Sequence, residues 1–262
     1  EKYGTPVFLR PTTRVCHGYA SIMVKDETEY THHQPEGFIK DSKRWVIFPR
    51  LSFMNHKKIE ARNQELSDIF SSYEKNTIHP SCDAFKDSKK GIATGGISYT
   101  YTMETLKKTG MVKTLKIATP HPFPEKLAVD FLSGLDEVLC LEELDPVIER
   151  ELIYICGKYH LPTRINGKLS GHTACAGENT RNTITPDINT FLGLTSPVTT
   201  DFPEPPALPV RPPVLCAGCP HRASFYAVKK AMRGKKTVFC GDIGCYTLGN
   251  ALPLDMVDTC LC

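Results

Sequence analysis

Lys90-Gly-Ile-Ala-Thr-Gly95-Gly96 is an apolar run that turns on two glycines, and together with the segments after it this run decides the fold. Tyr99-Thr-Tyr-Thr-Met-Glu-Thr-Leu-Lys-Lys108 has helical composition, and Val112-Lys-Thr-Leu-Lys-Ile-Ala118 is a second strand. Pro124 opens a helix through Leu127, Val129 and Phe131; Glu137-Val-Leu-Cys-Leu141 is a third strand, and Pro146 to Tyr159 a third helix. Strands alternating with helices in a βαβαβα order predict an α/β domain, a parallel sheet with helices on its faces. The glycines do not form G-x-G-x-x-G, and no acidic residue ends a second strand about 20 positions on, so a nicotinamide site is not expected. They read as a tight strand-to-helix turn. Glu142, Glu143 and Asp145 follow the third strand, and adjacent carboxylates there diverge, which suits helix N-terminal charges better than acid–base catalysis.

Working back toward the start, Thr5-Pro-Val-Phe-Leu-Arg10 reads as a buried strand, followed by Arg10-Pro-Thr12-Thr13-Arg14-Val-Cys16-His17. Two guanidiniums, two hydroxyls and an imidazole form a candidate anion-binding loop, unless Arg14 pairs with a structural carboxylate. His32-His33 has no third ligand spaced to join it and reads as an exposed loop. From Phe53 to Tyr73, Ile59, Leu66, Ile69 and Phe70 share one helical face. Asn76-Thr-Ile-His-Pro80 ends that helix and marks a boundary. Residues 170 to 200 carry little recognisable pattern. Asp201 to Pro213 holds six prolines, a stiff linker.

Beyond the linker stand Cys216-Ala-Gly-Cys219-Pro-His221-Arg222 and Cys240-Gly241-Asp242-Ile243-Gly244-Cys245. A C-x2-C pair aims two sulfurs at one centre, and Cys245 can return a third from the loop after the Val238-Phe239-Cys240 strand, which reads as buried. Pro220 suits a first helical turn, so the pair lies at the start of a helix from Ala223 to Met232, with Phe225, Val228 and Met232 on one face. Its amides, with His221 and Arg222, favour an anion there. Three arrangements remain open: a thioredoxin-like dithiol, a zinc site with Cys240 or His221 as fourth ligand, or an iron–sulfur cluster. Cys140 and Cys156 read as core residues.

Composition narrows the rest. Lys+Arg 32 against Asp+Glu 29 leaves a net charge of +3, too small to indicate nucleic acid, and the short lysine pairs (57–58, 89–90, 229–230, 235–236) read as solvated faces. No apolar stretch approaches the roughly 20 residues of a membrane span. Eleven cysteines without a need for disulfide staples fit a reducing, cytoplasmic setting. With no initiator Met, the chain reads as a piece of a longer polypeptide.

Pro212-Pro-Val-Leu-Cys-Ala-Gly-Cys-Pro-His-Arg222 followed by Gly241-Asp-Ile-Gly-Cys-Tyr-Thr-Leu248 resembles the start of the thiamine-diphosphate domain in the indolepyruvate branch of the 2-oxoacid:ferredoxin oxidoreductases. Arg10-x-Thr12-Thr13-Arg14-Val-x-His17 resembles the end of that family's pyrimidine-binding domain. Thr119-Pro-His-Pro-Phe-Pro124 with Glu142-Glu143 resembles its transketolase C-terminal-like domain, a mainly architectural one. The resemblance implies that 1–80 is the end of a pyrimidine-binding domain with connecting helices and 81–200 a transketolase C-terminal-like domain. It makes 201–213 a linker and 214–262 the start of a thiamine-diphosphate domain. It implies oxidative decarboxylation of an aryl-2-oxoacid to an aryl-acetyl-CoA, with electrons passing to ferredoxin. Thiamine diphosphate, Mg2+ and a 4Fe-4S cluster are the implied cofactors, and a beta subunit, ferredoxin, coenzyme A and the oxoacid the partners. Thr13, Arg14 and His17 would then face substrate. Gly241, Asp242, Ile243, Gly244 and His221 would approach the cofactor, and Cys216, Cys219 and Cys245 would hold the cluster. The catalytic glutamate and the magnesium–diphosphate motif of the family lie outside this chain, so alone it should be inactive. The alternative is a cysteine-ligated electron-transfer or assembly module without catalysis.

Overall fold

The computed structural model describes residues 3–30, 37–194, 207, 209 and 212–261. His32-His33 and most of the proline-rich 201–213 stretch lie outside the described residues. The chain divides into two compact units, Glu1–Val198 and Thr199–Cys262.

In the larger unit, two one-turn helices, α1 (Thr13–Cys16) and α2 (Ser42–Trp45), precede the 23-residue α3 (Pro49–Ser71). Pro49 sits in its first turn, where the missing N–H costs nothing. There follow β1 (Thr77–His79), β2 (Lys90–Gly95), α4 (Gly96–Thr109), β3 (Lys113–Ile117), α5 (Glu125–Leu132), β4 (Glu137–Leu141), α6 (Val147–Tyr159), β5 (Arg164–Asn166) and α7 (Arg181–Leu192). The sheet order is β1-β3-β2-β4-β5, parallel throughout except for β1, which pairs antiparallel with β3. Successive residues of each central strand face opposite layers. Ala93, Val138 and Cys140 pack with α5 and α6 residues Phe131, Leu152 and Ile155, while Ile92, Leu139 and Leu141 pack with Leu106 of α4 and Ile184 and Ile188 of α7. The result is a doubly wound α/β layer structure, as the alternation of strands and helices predicts.

Several local expectations change. Thr5–Arg10 is not a buried strand: it has no ladder partner, and Phe8 and Leu9 are about nine-tenths exposed (90% and 89%). Asn76–Pro80 contains β1, an edge strand of the same sheet. The Asn76 side chain fastens it by accepting from the Ala118 and Thr119 amides and donating to the Phe70 carbonyl. Lys90 is not on a solvated face; its ammonium donates to the Phe191 carbonyl at 2.6 Å. Within 170–200, α7 covers one face of the sheet.

The smaller unit holds α8 (Pro220–Ala231), β6 (Cys240–Asp242) and β7 (Thr259–Leu261), the two strands paired in parallel. Leu215, Phe225 and Met256 are its buried cluster. The Val238–Cys240 strand lies two residues later than expected and is not buried: Val238 is exposed, and β6 and β7 form a sheet of two strands. Among the described residues no helix is long and apolar enough to cross a membrane.

Candidate functional site

The sheet leaves a crevice where chain direction reverses across it. From β2 the chain winds to β3 on one side, then crosses to β4 on the other. The carboxyl ends of β2 and β4 therefore flank the kind of switch point at which open α/β sheets bind ligands. A cavity of about 770 Å³ opens there. Its floor is Gly95, Gly96 and Ile117; Glu142, Glu143 and Asp145 line one wall, and Phe8 to Thr12 the other. Gly95 can only be glycine: a Cβ would stand 2.6 Å from the Ile117 carbonyl oxygen. Gly96 begins α4 at a φ of +56°, a conformation that favours glycine.

Two of the three carboxylates of this wall are committed. Glu142 is buried and accepts from the Ile148 amide at 2.8 Å and the Glu149 amide at 3.0 Å, capping α6. Burial raises its pKa, opposed by those two bonds. Glu143 accepts from the Asn179 amide, and burial raises its pKa too. The reading of these residues as helix N-terminal charges is borne out for Glu142.

Across the crevice, Thr13 starts α1 and Arg14 makes a two-pronged ion pair with Glu178, Nε–Oε1 2.9 Å and Nη2–Oε2 2.8 Å. Each partner stabilises the other's charge, raising the pKa of Arg14 and lowering that of Glu178. His17 is exposed, its Nδ1 2.9 Å from the Thr13 carbonyl oxygen. Thr13 and Arg14 thus sit on one short helix, and His17 follows at its C-terminal cap. The Arg14 guanidinium fork is already filled by a carboxylate, while Arg10, the other guanidinium of that loop, lines the crevice.

In the smaller unit, Cys219 caps α8 and its Sγ lies 3.2 Å from Nδ1 of His221. The His221 ring stands edge-on to Tyr246 at 5.3 Å. Cys216 and Cys245 are exposed. Gly241 and Asp242 belong to β6; Ile243 is exposed, Gly244 has a φ of +146°, and the Asp242 carbonyl accepts from the Thr247 hydroxyl. Among the described residues no three His, Cys, Asp or Glu side chains are grouped so as to hold a metal. Cys216, Cys219 and Cys245 are chemically apt for iron or zinc but are not gathered as three ligands, and Asp242 is not part of a magnesium-holding set.

No protein-family model matches the chain. Whole-length relatives do. Indolepyruvate oxidoreductase subunit IorA of Methanothermobacter thermautotrophicus is 35% identical over 98% of this chain. The IorA subunit of Pyrococcus abyssi is 34% identical over 99%, and that of Archaeoglobus fulgidus 30% over 100%. Over this shared stretch the chain is similar to the IorA subunits. It spans about two-fifths of the IorA proteins' own length, 42%, 41% and 42% in the three. The match runs through both units, so the α/β sheet and the Cys216–Cys245 region lie together in the IorA sequence.

Proposed function

We propose that this chain is part of an IorA-type subunit of an enzyme that oxidatively decarboxylates an aryl-2-oxoacid, such as indolepyruvate, to the aryl-acetyl-CoA. A beta subunit completes the enzyme and ferredoxin takes the electrons. The observation that carries this reading is the match to IorA subunits along nearly every residue. Bound thiamine diphosphate, with Mg2+, would supply the electron sink for decarboxylation, and 4Fe-4S centres would carry electrons away. Neither group has ligands assigned to it in this chain.

Within that enzyme residues 81–200, read as the transketolase C-terminal-like domain, serve as a scaffold. Three carboxylates against one guanidinium make the switch-point crevice a poor host for an oxoacid's carboxylate. The Arg14–Glu178 pair ties the start of the chain to the loop before α7 and positions the residues around it. Thr13 and His17 lie beside this tie, so any contact they make with substrate depends on its holding α1 in place.

The test assembles the full-length subunit that contains this chain with its partner subunit and thiamine diphosphate, and measures indolepyruvate-dependent reduction of a viologen dye. Turnover is expected from the assembled enzyme and none from the chain alone. An assembled enzyme that oxidises no aryl-2-oxoacid overturns the proposal. Arg14→Ala and Glu178→Ala should have the same effect on kcat/KM, as loss of one tie predicts. A large loss confined to Arg14→Ala would return Arg14 to the substrate.

A further inference from the structure

We infer that the cavity between α7 and the β4–β5 edge of the sheet binds a small primary amine as its ammonium ion, with Asp187 as counter-ion. The cavity holds about 320 Å³, at the small end of the roughly 300–1,000 Å³ that ligand pockets span. Leu139 of β4 and Asn166 of β5 are in register, so their side chains stand side by side on the sheet face that α7 covers. Asp187 and Phe191, one turn apart on α7, line it from the other side, and His172 joins them from the loop after β5.

This cavity is rich in acceptors that no donor answers. Asn166 is 2% exposed, and its Oδ1 has no hydrogen-bond partner among the described residues. A buried amide oxygen left so is costly unless a ligand supplies the hydrogen. Asp187 accepts no hydrogen bond from the described residues either, and burial raises its pKa against a partial offset from Lys168. The neighbouring cations are engaged elsewhere. Lys168 donates to the Ala174 carbonyl at 2.5 Å; Lys90 donates to the Phe191 carbonyl at 2.6 Å and lies 3.9 Å from Glu137, whose charge it offsets. Asp187 is the charge left over. His172 adds a third acceptor. The Ser170 hydroxyl donates to the Gly167 carbonyl and accepts from the Gly167 amide, so the neutral His172 ring, with Nδ1 2.9 Å from that oxygen, carries its proton on Nδ1 and a lone pair on Nε2. An ammonium ion brings three N–H donors and one positive charge to such a set. Leu139 and the Phe191 ring give its carbon chain an apolar wall, which a bare metal ion would leave unused along with most of the volume.

The inference concerns the larger unit and does not depend on the proposed oxidoreductase activity. The experiment titrates propylammonium by calorimetry into the full-length subunit that contains this chain, assembled with its partner subunit. The expected result is one saturable site per subunit, left empty by propan-1-ol, which lacks the charge, and by tetramethylammonium, which lacks N–H donors. Asp187→Asn keeps the shape of the side chain and should weaken propylammonium by about tenfold or more, the loss expected for a hydrogen bond to a charged group. The thermal midpoint of the ligand-free variant at pH 7 should be no lower than the parent's, which separates lost binding from lost folding. Asn166→Leu should weaken binding as well. The absence of a saturable propylammonium site would overturn the inference, as would an affinity unchanged in Asp187→Asn. Stoichiometric Mn2+ that displaces propylammonium would overturn it in favour of a metal site.

Discussion

At the scale of single residues, buried carboxylates set the terms. Glu142 satisfies two amides at the start of α6, so Glu142→Ala leaves both without a partner beneath the crevice. A loss of about 2 kcal/mol of folding stability is expected, read from the urea midpoint. Asp187 makes a different case. It lines a second cavity of about 320 Å³ with Lys90, Glu137 and His172, and burial raises its pKa, only partly offset by Lys168. An acid whose folded pKa is raised binds more protons folded than unfolded between the two values. Stability therefore falls as pH rises through that window. Asp187→Asn is expected to be more stable than the parent at pH 7, with the gain fading as pH drops toward the ordinary aspartate value of about 3.9. Thermal midpoints across that range would show it, and a gain that persisted in acid would refute it. Arg14 marks how far sequence reaches at this scale: its cationic role was legible, but its partner Glu178 is 164 positions away and carries no signal of its own.

At the scale of elements, the turn from β2 into α4 fixes the crevice. Gly95→Ala pushes a methyl against the Ile117 backbone, which has no rotamer to yield. The strands must separate, at a cost of about 1–3 kcal/mol. A variant as stable as the parent would show that β2 and β3 leave room for the methyl. The three central strands and their helices were legible because apolar runs of strand length and helical faces alternate without interruption. Three elements were not. β1 and β5 are three residues long and exist through their ladder partners and, for β1, the Asn76 clamp. The α7 helix opens with a Thr180–Thr183 capping box but holds Pro186 inside it, so propensity argued against a helix that packing against β4 and α4 sustains.

At the scale of the whole chain, two units carry unequal cores. The larger buries two clusters on the faces of a five-stranded sheet; the smaller has Leu215, Phe225 and Met256. Unfolding should be non-two-state, with the smaller unit melting first. Phe225→Ala is expected to remove about 3 kcal/mol or more and abolish only the earlier transition. A single transition shifted as one would show that the units unfold together. Sequence by itself determined the α/β order, the parallel pairing of the central strands, a helix following the Cys216–Cys219 pair and the kinship carried by Cys216–Arg222 and Gly241–Leu248. Those features are local: periodicity, turn chemistry and motif spacing are written in adjacent residues. Tertiary structure alone decided that Thr5–Arg10 stays off the sheet, that Asn76–Pro80 joins it, that Arg14 answers Glu178, and that Cys245 is not gathered with Cys216 and Cys219. Each depends on which distant group occupies the neighbouring space, and that is settled only when the layers pack.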